Sequence, residues 1–315
     1  MTGTSTGLDL VVTAVREPAP GVCTVTLAAP DGAALPSFVP GSHLVLDCDG
    51  RANAYSLVGE TVVPASYEIS VLRLDDGRGG SRWIHSLRVG DEVTGRVPRS
   101  AFAPVATATR HLLVAGGIGV TPVVSHLRAA RRWGRQVQVL YGFRAGYGAH
   151  LDDIAELTGD TAELYTDRAT LMGGVARALG DQPLGTHLYV CGPGAMIDAV
   201  IAAATAAGWP DSRVHAERFG LDTLDPGDPF TVSLATSGVT LEVPSGTSLL
   251  DVFDAAGVDV PSLCRQGVCG ECRIPVTAGT PLHRDLFLTG EERDAGDVLM
   301  PCVSRCAGDF LEVPL

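Results

Sequence analysis

The sequence contains no lysine; all 23 of its basic residues are arginine. That absence excludes a phosphate loop ending in Gly-Lys-Ser/Thr and any Schiff-base lysine chemistry. No apolar run approaches the ~20 residues needed to cross a bilayer core. Residues 1–7 are small and polar, without the basic and apolar regions of an export signal. Together these features predict a cytoplasmic chain with no membrane association. Positive charge is also scarce: the formal net charge is −13 over 315 residues. Such a chain repels phosphate backbones, so no nucleic-acid partner is expected. There is no Gly-x-Ser-x-Gly elbow, which argues against a hydrolase, and no catalytic pair of His or Glu stands out.

A chain of 315 residues suits two or three domains rather than one core. The first hundred residues read as β. Runs at 10–15, 23–27, 43–46 and 67–72 are separated by Pro, Gly and Asp turns, the spacing of a small antiparallel barrel. The texture changes near Arg110. Residues 111–115 form a continuous apolar run, as in a strand buried on both faces. Gly116-Gly117-Ile118-Gly119 and a helical stretch at 122–132 follow. Strands at 136–141 and 188–191 come next, the latter again meeting glycine before a helix at 195–207. Strand–glycine–helix units in series predict a parallel α/β sheet. After a turn-rich linker at 224–229, two strands, 230–234 and 239–243, form a hairpin around Ser237-Gly238, and a short helix spans 248–256. The expected domains are therefore 1–104, 105–224 and 225–315. From residue 226 onward five arginines face thirteen acidic residues, a net charge of −8. More than half of the negative charge thus lies in the last third.

Eight cysteines without an export signal argue against disulfides. Cys23, Cys48 and Cys306 read as ordinary small core or surface residues. Cys264-x4-Cys269-x2-Cys272, with Cys302 after 29 more residues, has the spacing of a plant-type [2Fe–2S] ferredoxin. Three thiolates on one tight loop wrap one side of a planar two-iron core, and a distant fourth closes it. Gly267 and Gly270 let that loop turn sharply and aim N–H groups at sulfur. Zinc is the rival metal, but it favours paired C-x2-C arms and only one is present. Cys306 is the rival fourth ligand; Cys302 is preferred because Leu299-Met300-Pro301 delivers it from an apolar approach.

Gly116, Gly117 and Gly119, with Thr121 and Pro122, sit between a buried strand and a helix, where glycine lets a pyrophosphate approach the helix N-terminus. A second glycine turn, Cys191-Gly192-Pro193-Gly194, ends a later strand. Two such turns at one end of a sheet frame a ligand crevice.

These motifs, with Glu217-Arg218-Phe219 and the terminal cysteines, resemble the phthalate dioxygenase reductase family, a branch of the ferredoxin–NADP reductase superfamily. The resemblance covers nearly the whole chain. It implies an antiparallel flavin-binding β-barrel, an α/β nucleotide-binding domain and a C-terminal β-grasp ferredoxin domain. It also implies flavin contacts from Asn53-Ala54-Tyr55-Ser56-Leu57 and from Gly77-Arg78-Gly79-Gly80-Ser81. Tyr55 would pack on the isoalloxazine ring and Ser56 near its N5 edge. Arg78, Gly80 and Ser81 would hold the phosphate where a short helix opens. The family's arginine two residues before the tyrosine is here Asn53, an uncharged donor that Arg51 or Arg73 could supplement. FMN is favoured over FAD. Ser56, Thr121, Cys191 and Phe219 would border the reacting rings, with Glu217 beside Phe219. Arg144 would touch the adenosine and is the one arginine there, which favours NADH over NADPH. His283-Arg284-Asp285 mimics a kinase catalytic loop but belongs, by resemblance, to the ferredoxin fold.

The implied activity is hydride transfer from NADH to flavin, then single electrons to the cluster and on to a terminal oxygenase. A Rieske oxygenase is the expected acceptor and a cytochrome P450 the alternative. A redox sensor without turnover is a separate class of function; steady-state NADH–cytochrome c reduction distinguishes it. A monomer is expected.

Overall fold

The structure, a computed structural model, describes residues 7–50, 52–76, 79–100, 102–219, 227–262, 265, 267, 270–285 and 287–315. The chain divides into two compact units, Met1–Phe219 and Gly220–Leu315. No helix among the described residues is long and apolar enough to cross a membrane.

The first unit begins with an antiparallel sheet. Its strands are β1 (Gly7–Ala19), β2 (Val22–Ala28), β3 (Ser42–Asp47), β4 (Ala52–Ser56), β5 (Ser66–Leu72), β6 (Glu92–Arg96) and β7 (Arg99–Ser100), with a five-residue helix α1 (Gly80–Ile84) between β5 and β6. The order is β4-β3-β6-β1-β2-β5, with β7 against β3. A bridge between Leu57 and Ile69 links the end of β4 to β5 and closes the sheet into a barrel. Val25, Leu27, Leu44, Leu46, Tyr67 and Ile69 fill its interior at full burial, the inward positions of period-two strands.

A parallel sheet follows in the same unit, built from β8 (Arg110–Gly116), β9 (Gln136–Gly142), β10 (Glu163–Tyr165), β11 (Thr186–Cys191) and β12 (Val214–Glu217), in the order β10-β9-β8-β11-β12. Helices α2 (Val120–Trp133), α3 (Leu151–Thr158), α4 (Arg168–Gly180) and α5 (Gly194–Ala206) connect the strands. The apolar run of β8 is buried from His111 to Gly116, as required of a strand covered on both faces. The helix expected at 122–132 begins two residues earlier, because a 3-10 turn at Gly117–Gly119 leads straight into it.

The second unit is a β-grasp. Strands β13 (Phe230–Leu234), β14 (Val239–Val243), β16 (Ala278–Leu282) and β18 (Arg305–Val313) form a sheet in the order β14-β13-β18-β16, and β15 (Ile274–Pro275) pairs with β17 (Val298–Leu299). Between them lie α6 (Leu249–Ala255) and α7 (Gly290–Ala295). The hairpin turns where Ser237-Gly238 predicts, with Gly238 at φ +70°. Ser248 caps α6 by accepting from the Asp251 N–H at 3.0 Å, a contact worth ~1 kcal/mol. Thr289 and Glu292 close a reciprocal capping box on α7.

Candidate nucleotide, flavin and iron–sulfur sites

At the C-terminal edge of the parallel sheet, Ala115, Tyr141, Cys191 and Glu217 lie in register. The two glycine turns meet there. A Cβ on Gly119 would strike the carbonyl of Cys191, and one on Gly192 would lie 2.7 Å from the methyl of Met196 and 3.0 Å from Gly116 Cα. Those glycines are therefore set by turn-on-turn packing. Gly117 differs: its φ is +53° and nothing lies within 4 Å of its missing side chain. It requires glycine for its left-handed backbone and faces open space, which suits the approach of a pyrophosphate.

Thr121 is buried, and its hydroxyl donates to the Ile118 carbonyl at 3.0 Å. The Cys191 thiol is fully buried; burial, then the nearby Glu217, pushes its pKa well up, so it stays an uncharged thiol. Burial pushes the Glu217 carboxyl up to about 8, and its Oε2 has no hydrogen-bond partner among the described residues. A buried polar atom left in this state stands where a bound ligand would meet it. Phe219 follows β12 and packs on the core shared with Tyr141 and Cys191. Arg144, exposed beyond β9, stacks over the Tyr147 ring at 4.7 Å.

The predicted flavin residues Asn53 to Ser56 lie on β4, the strand whose end meets β5 where the barrel closes. Ser56 and Leu57 are buried there. Gly80, at the start of α1, lets the helix pack closely against the side chains of β4. A Cβ there would lie 2.7 Å from the Asn53 amide nitrogen and 2.8 Å from the Tyr55 hydroxyl. Two polar side chains able to donate thus converge on the helix start, a donor set that fits a phosphate-bearing ligand. The Ser81 hydroxyl is held by the chain before it, accepting from Leu74 N–H at 3.1 Å. Gly77, Arg78 and Arg51 lie outside the described residues. Arg73 pairs with Asp75 at 2.8 Å, so it does not stand in for the charge missing at Asn53. Sequence reasoning passed over a second guanidinium near this turn: an Nη of Arg82 stands 3.8 Å from where a Gly79 Cβ would be. The second arginine of Gly77-Arg78-Gly79-Gly80-Ser81-Arg82 was the available signal.

In the β-grasp unit the sulfurs of Cys272 and Cys302 are 3.2 Å apart and buried at 2% and 1% exposure. Cys264 and Cys269 lie outside the described residues. Gly267 and Gly270 have φ of +72° and +79°. A Cβ on Gly267 would meet Val303 at 2.6 Å, and one on Gly270 would strike the Phe287 ring. Arg265 ties the loop to α6 through Asp251 and Asp254. Two thiols brought together on opposite arms of the C-x2-C…C pattern fit a cluster with a four-thiolate donor set. The rival Cys306 is engaged elsewhere, donating to the Phe310 carbonyl at 3.2 Å and accepting from Gly308 N–H at 3.3 Å.

Against known proteins, the chain is 41% identical over 307 residues to the heme-dependent oxidative N-demethylase beta subunit of Ectopseudomonas mendocina (strain ymp), covering 96% of this chain and 97% of the relative. It is 35% identical over 298 residues to the carnitine monooxygenase reductase subunit of Escherichia coli (strain K12), covering 92% of each. Phthalate dioxygenase reductase, a modular structure for electron transfer from pyridine nucleotides to [2Fe–2S], superposes with a TM-score of 0.77 at 33% identity, over 98% of both chains. The chain belongs to the phthalate dioxygenase reductase family. It is a flavin and iron–sulfur oxidoreductase of the kind that serves oxygenases, and its barrel, parallel sheet and β-grasp are the family's fold.

Within the family frame, residues 91–214 match the dimethylamine monooxygenase subunit DmmA-like N-terminal domain and residues 232–307 the 2Fe-2S iron–sulfur cluster binding domain. A type IV self-sufficient cytochrome P450 monooxygenase also superposes, with a TM-score of 0.78 at 35% identity, over 98% of this chain and 41% of the longer one. The His283-Arg284-Asp285 triplet is structural, as expected of a family member. The buried Asp285 carboxylate accepts from Phe287 N–H at 3.1 Å and Leu288 N–H at 2.8 Å, and from the Ser304 hydroxyl at 3.3 Å.

Proposed function

We propose that the chain takes hydride from NADH onto FMN and passes single electrons through its [2Fe–2S] cluster to a Rieske-type terminal oxygenase. The observation that carries this reading is the presence, in one chain, of two abutting glycine turns at a sheet edge and a buried Cys272–Cys302 sulfur pair. A bound flavin takes two electrons together and returns them singly, the conversion needed between a nicotinamide and a one-electron cluster. The chain's own residues place ligands and exclude water. Asn53, Tyr55, Ser56, Gly80, Ser81 and Arg82 hold the flavin, with Gly77 and Arg78 completing the phosphate loop. Gly117 and the start of α2 take the pyrophosphate, while Thr121, Cys191, Glu217 and Phe219 border the nicotinamide with no ionised group from the thiol. Cys264, Cys269, Cys272 and Cys302 hold the cluster. The functional segments are 1–104, 105–224 and 225–315, in a cytoplasmic monomer.

FMN is supported by the Asn53 and Tyr55 donors gathered at the start of α1, and NADH by the lone Arg144 beyond β9. The net charge of −8 in the last ninety residues favours a basic docking face on the partner, with transfer slowing as salt rises. A haem oxygenase is the second reading, favoured by the heme-dependent N-demethylase relative and the P450 monooxygenase similarity. Acid-released flavin identified by chromatography tests the first step, with FMN expected and FAD refuting it. NADH is expected to exceed NADPH in kcat/KM. Absence of NADH–cytochrome c reduction would refute turnover, and reduction rates indifferent to ionic strength would refute the acidic docking face. Electron delivery to a purified Rieske oxygenase and to a purified cytochrome P450, compared side by side, separates the two acceptors.

A further inference from the structure

A continuous chain of buried and half-buried hydrogen bonds runs through the first unit from the barrel to helices α3 and α2 and back to the barrel at Val58, and neither proposed ligand site uses it. It starts where Thr24 on β2 faces Ser70 on β5, with hydroxyls 2.8 Å apart. Ser70 Oγ lies 2.8 Å from His150 Nε2, and His150 Nδ1 lies 2.7 Å from Asp153 Oδ2 on α3. The other Asp153 oxygen accepts from Arg128 on α2 at 2.6 Å, and Arg128 Nε donates to the Val58 carbonyl at 2.8 Å. One direction of donation satisfies every member: Thr24 to Ser70, Ser70 to His150 Nε2, His150 Nδ1 to Asp153, and Arg128 to both Asp153 and Val58. The Asp153 carboxyl is held below its usual range, first by the hydrogen bond from His150, with Arg128 contributing as well.

Two branches of this network approach the two proposed sites, one through Arg128 to Val58 and one through Ala149 and Tyr141 to Gly117. Val58 is two residues past Ser56. Arg128 stands on α2, the helix that opens from the first glycine turn. Ala149, next to His150, donates to the Tyr141 hydroxyl at 3.1 Å, and that hydroxyl donates to the Gly117 carbonyl at 3.1 Å. His150 itself sits at φ +57°, a left-handed conformation that a non-glycine residue keeps only where its surroundings impose it. Ser70, His150 and Asp153 have the bonding order of a nucleophilic triad. However, Ser70 is 6% exposed and its hydroxyl is bonded on both sides, so it attacks nothing.

We infer that His150 is a positioning residue. Through Ser70 on one side and Asp153–Arg128 on the other, it fixes the flavin-bearing strand β4 against the glycine turn that opens α2, and thereby sets the hydride-transfer geometry. The inference rests on the ligand placements proposed above. In the flavin-loaded His150→Asn protein, reduction by saturating NADH in anaerobic stopped flow is expected to slow ~10-fold or more while NADH affinity stays within ~2-fold, since small displacements of reacting groups cost rate rather than binding. The isotope effect with 4-deuterated NADH should rise. In the flavin-free protein, amide exchange should accelerate at 57–59 and 117–121 and stay unchanged in the rest of the barrel. Ser70→Ala cuts the same chain without touching the strained start of α3, and should move the same quantities in the same direction. If either variant folds with a lower Tm but keeps the wild-type limiting rate, isotope effect and exchange pattern, the residue is merely structural and the inference is overturned. If Tyr55→Ala retains flavin at full affinity, the flavin placement falls and the inference falls with it.

Discussion

Replacing Glu217 by glutamine should remove a pH dependence of stability that the wild-type protein carries. The Glu217 side chain ends β12, and burial alone pushes its pKa from the ordinary 4.5 up to about 8. The sign follows from proton counting. Below about pH 4.5 the carboxyl is protonated in both folded and unfolded chains, and the native state carries no penalty. As pH rises from 4.5 to about 8, the unfolded chain has lost the proton and the folded one still holds it, so stability falls. The slope is ~1.4 kcal/mol per pH unit, up to a total on the order of 5 kcal/mol. Above about 8 both forms are ionised and the loss is complete. A glutamine side chain has nearly the same shape and no charge, so Glu217→Gln should gain on wild type throughout that window and hold a constant lead beyond it. The three tryptophans, Trp83, Trp133 and Trp209, all lie in the first unit. Urea unfolding followed by their fluorescence in the intact chain therefore reports on the unit that holds Glu217. A wild type–variant difference that stays flat from pH 5 to pH 8 would refute the reasoning.

Three further outcomes are expected. Cys302→Ser should abolish the visible absorption and the reduced-state EPR signal of the cluster, whereas Cys306→Ser should keep both and lose only ~1 kcal/mol from two weak sulfur hydrogen bonds; equal loss in the two variants would reverse the ligand assignment. Asn53→Arg adds a cation beside Gly80 and should tighten flavin binding ~3- to 10-fold, in line with one charge-assisted hydrogen bond; an unchanged or weaker affinity by fluorescence titration would show that Arg82 already saturates the phosphate. His126 is buried against Phe102, His111 and Tyr189, and burial pushes its pKa from 6.5 down to about 3. The unfolded chain therefore takes up a proton near pH 6.5 that the native chain refuses, and stability is lost as pH falls toward 3. His126→Gln, which can still donate to the Phe102 carbonyl, should flatten the decline of Tm between pH 6.5 and 4.

Much of this was legible in the chain because the strongest sequence signals mark backbone demands that admit few residues. The cysteine spacing gave the cluster unit, and the glycine turns gave the sheet edge, while the order of strands came only with the structure. The strands read at 10–15, 23–27, 43–46 and 67–72 fall within β1, β2, β3 and β5. Helices α3 and α4 and strands β10 and β12 gave weaker signals. α3 is eight residues long, α4 carries two glycines in its middle, and β10 and β12 are three and four residues long. The site details were hidden for a different reason. That Ser81 and Thr121 turn their hydroxyls to nearby backbone, that Arg73 is claimed by Asp75, and that Arg82 reaches Gly79 all depend on side-chain direction. So does the chain through His150, whose members are up to 129 residues apart, between Thr24 and Asp153.

Strand β18 lies in the middle of the β-grasp sheet, parallel to β13 on one side and antiparallel to β16 on the other. It is also the last strand to be made. The unit cannot close its core during synthesis until residue 313 exists, while every strand of the barrel and of the parallel sheet is complete by residue 217. The flavin and nucleotide portion can thus fold on the ribosome, first in time as in sequence. The cluster unit must wait with Cys264, Cys269 and Cys272 already synthesised and no sheet behind them. Its vulnerable interval is the one before the final strand arrives, when the thiols proposed as cluster ligands are open to oxygen. A completed β-grasp sheet therefore stands behind those cysteines only after residue 313 has been made.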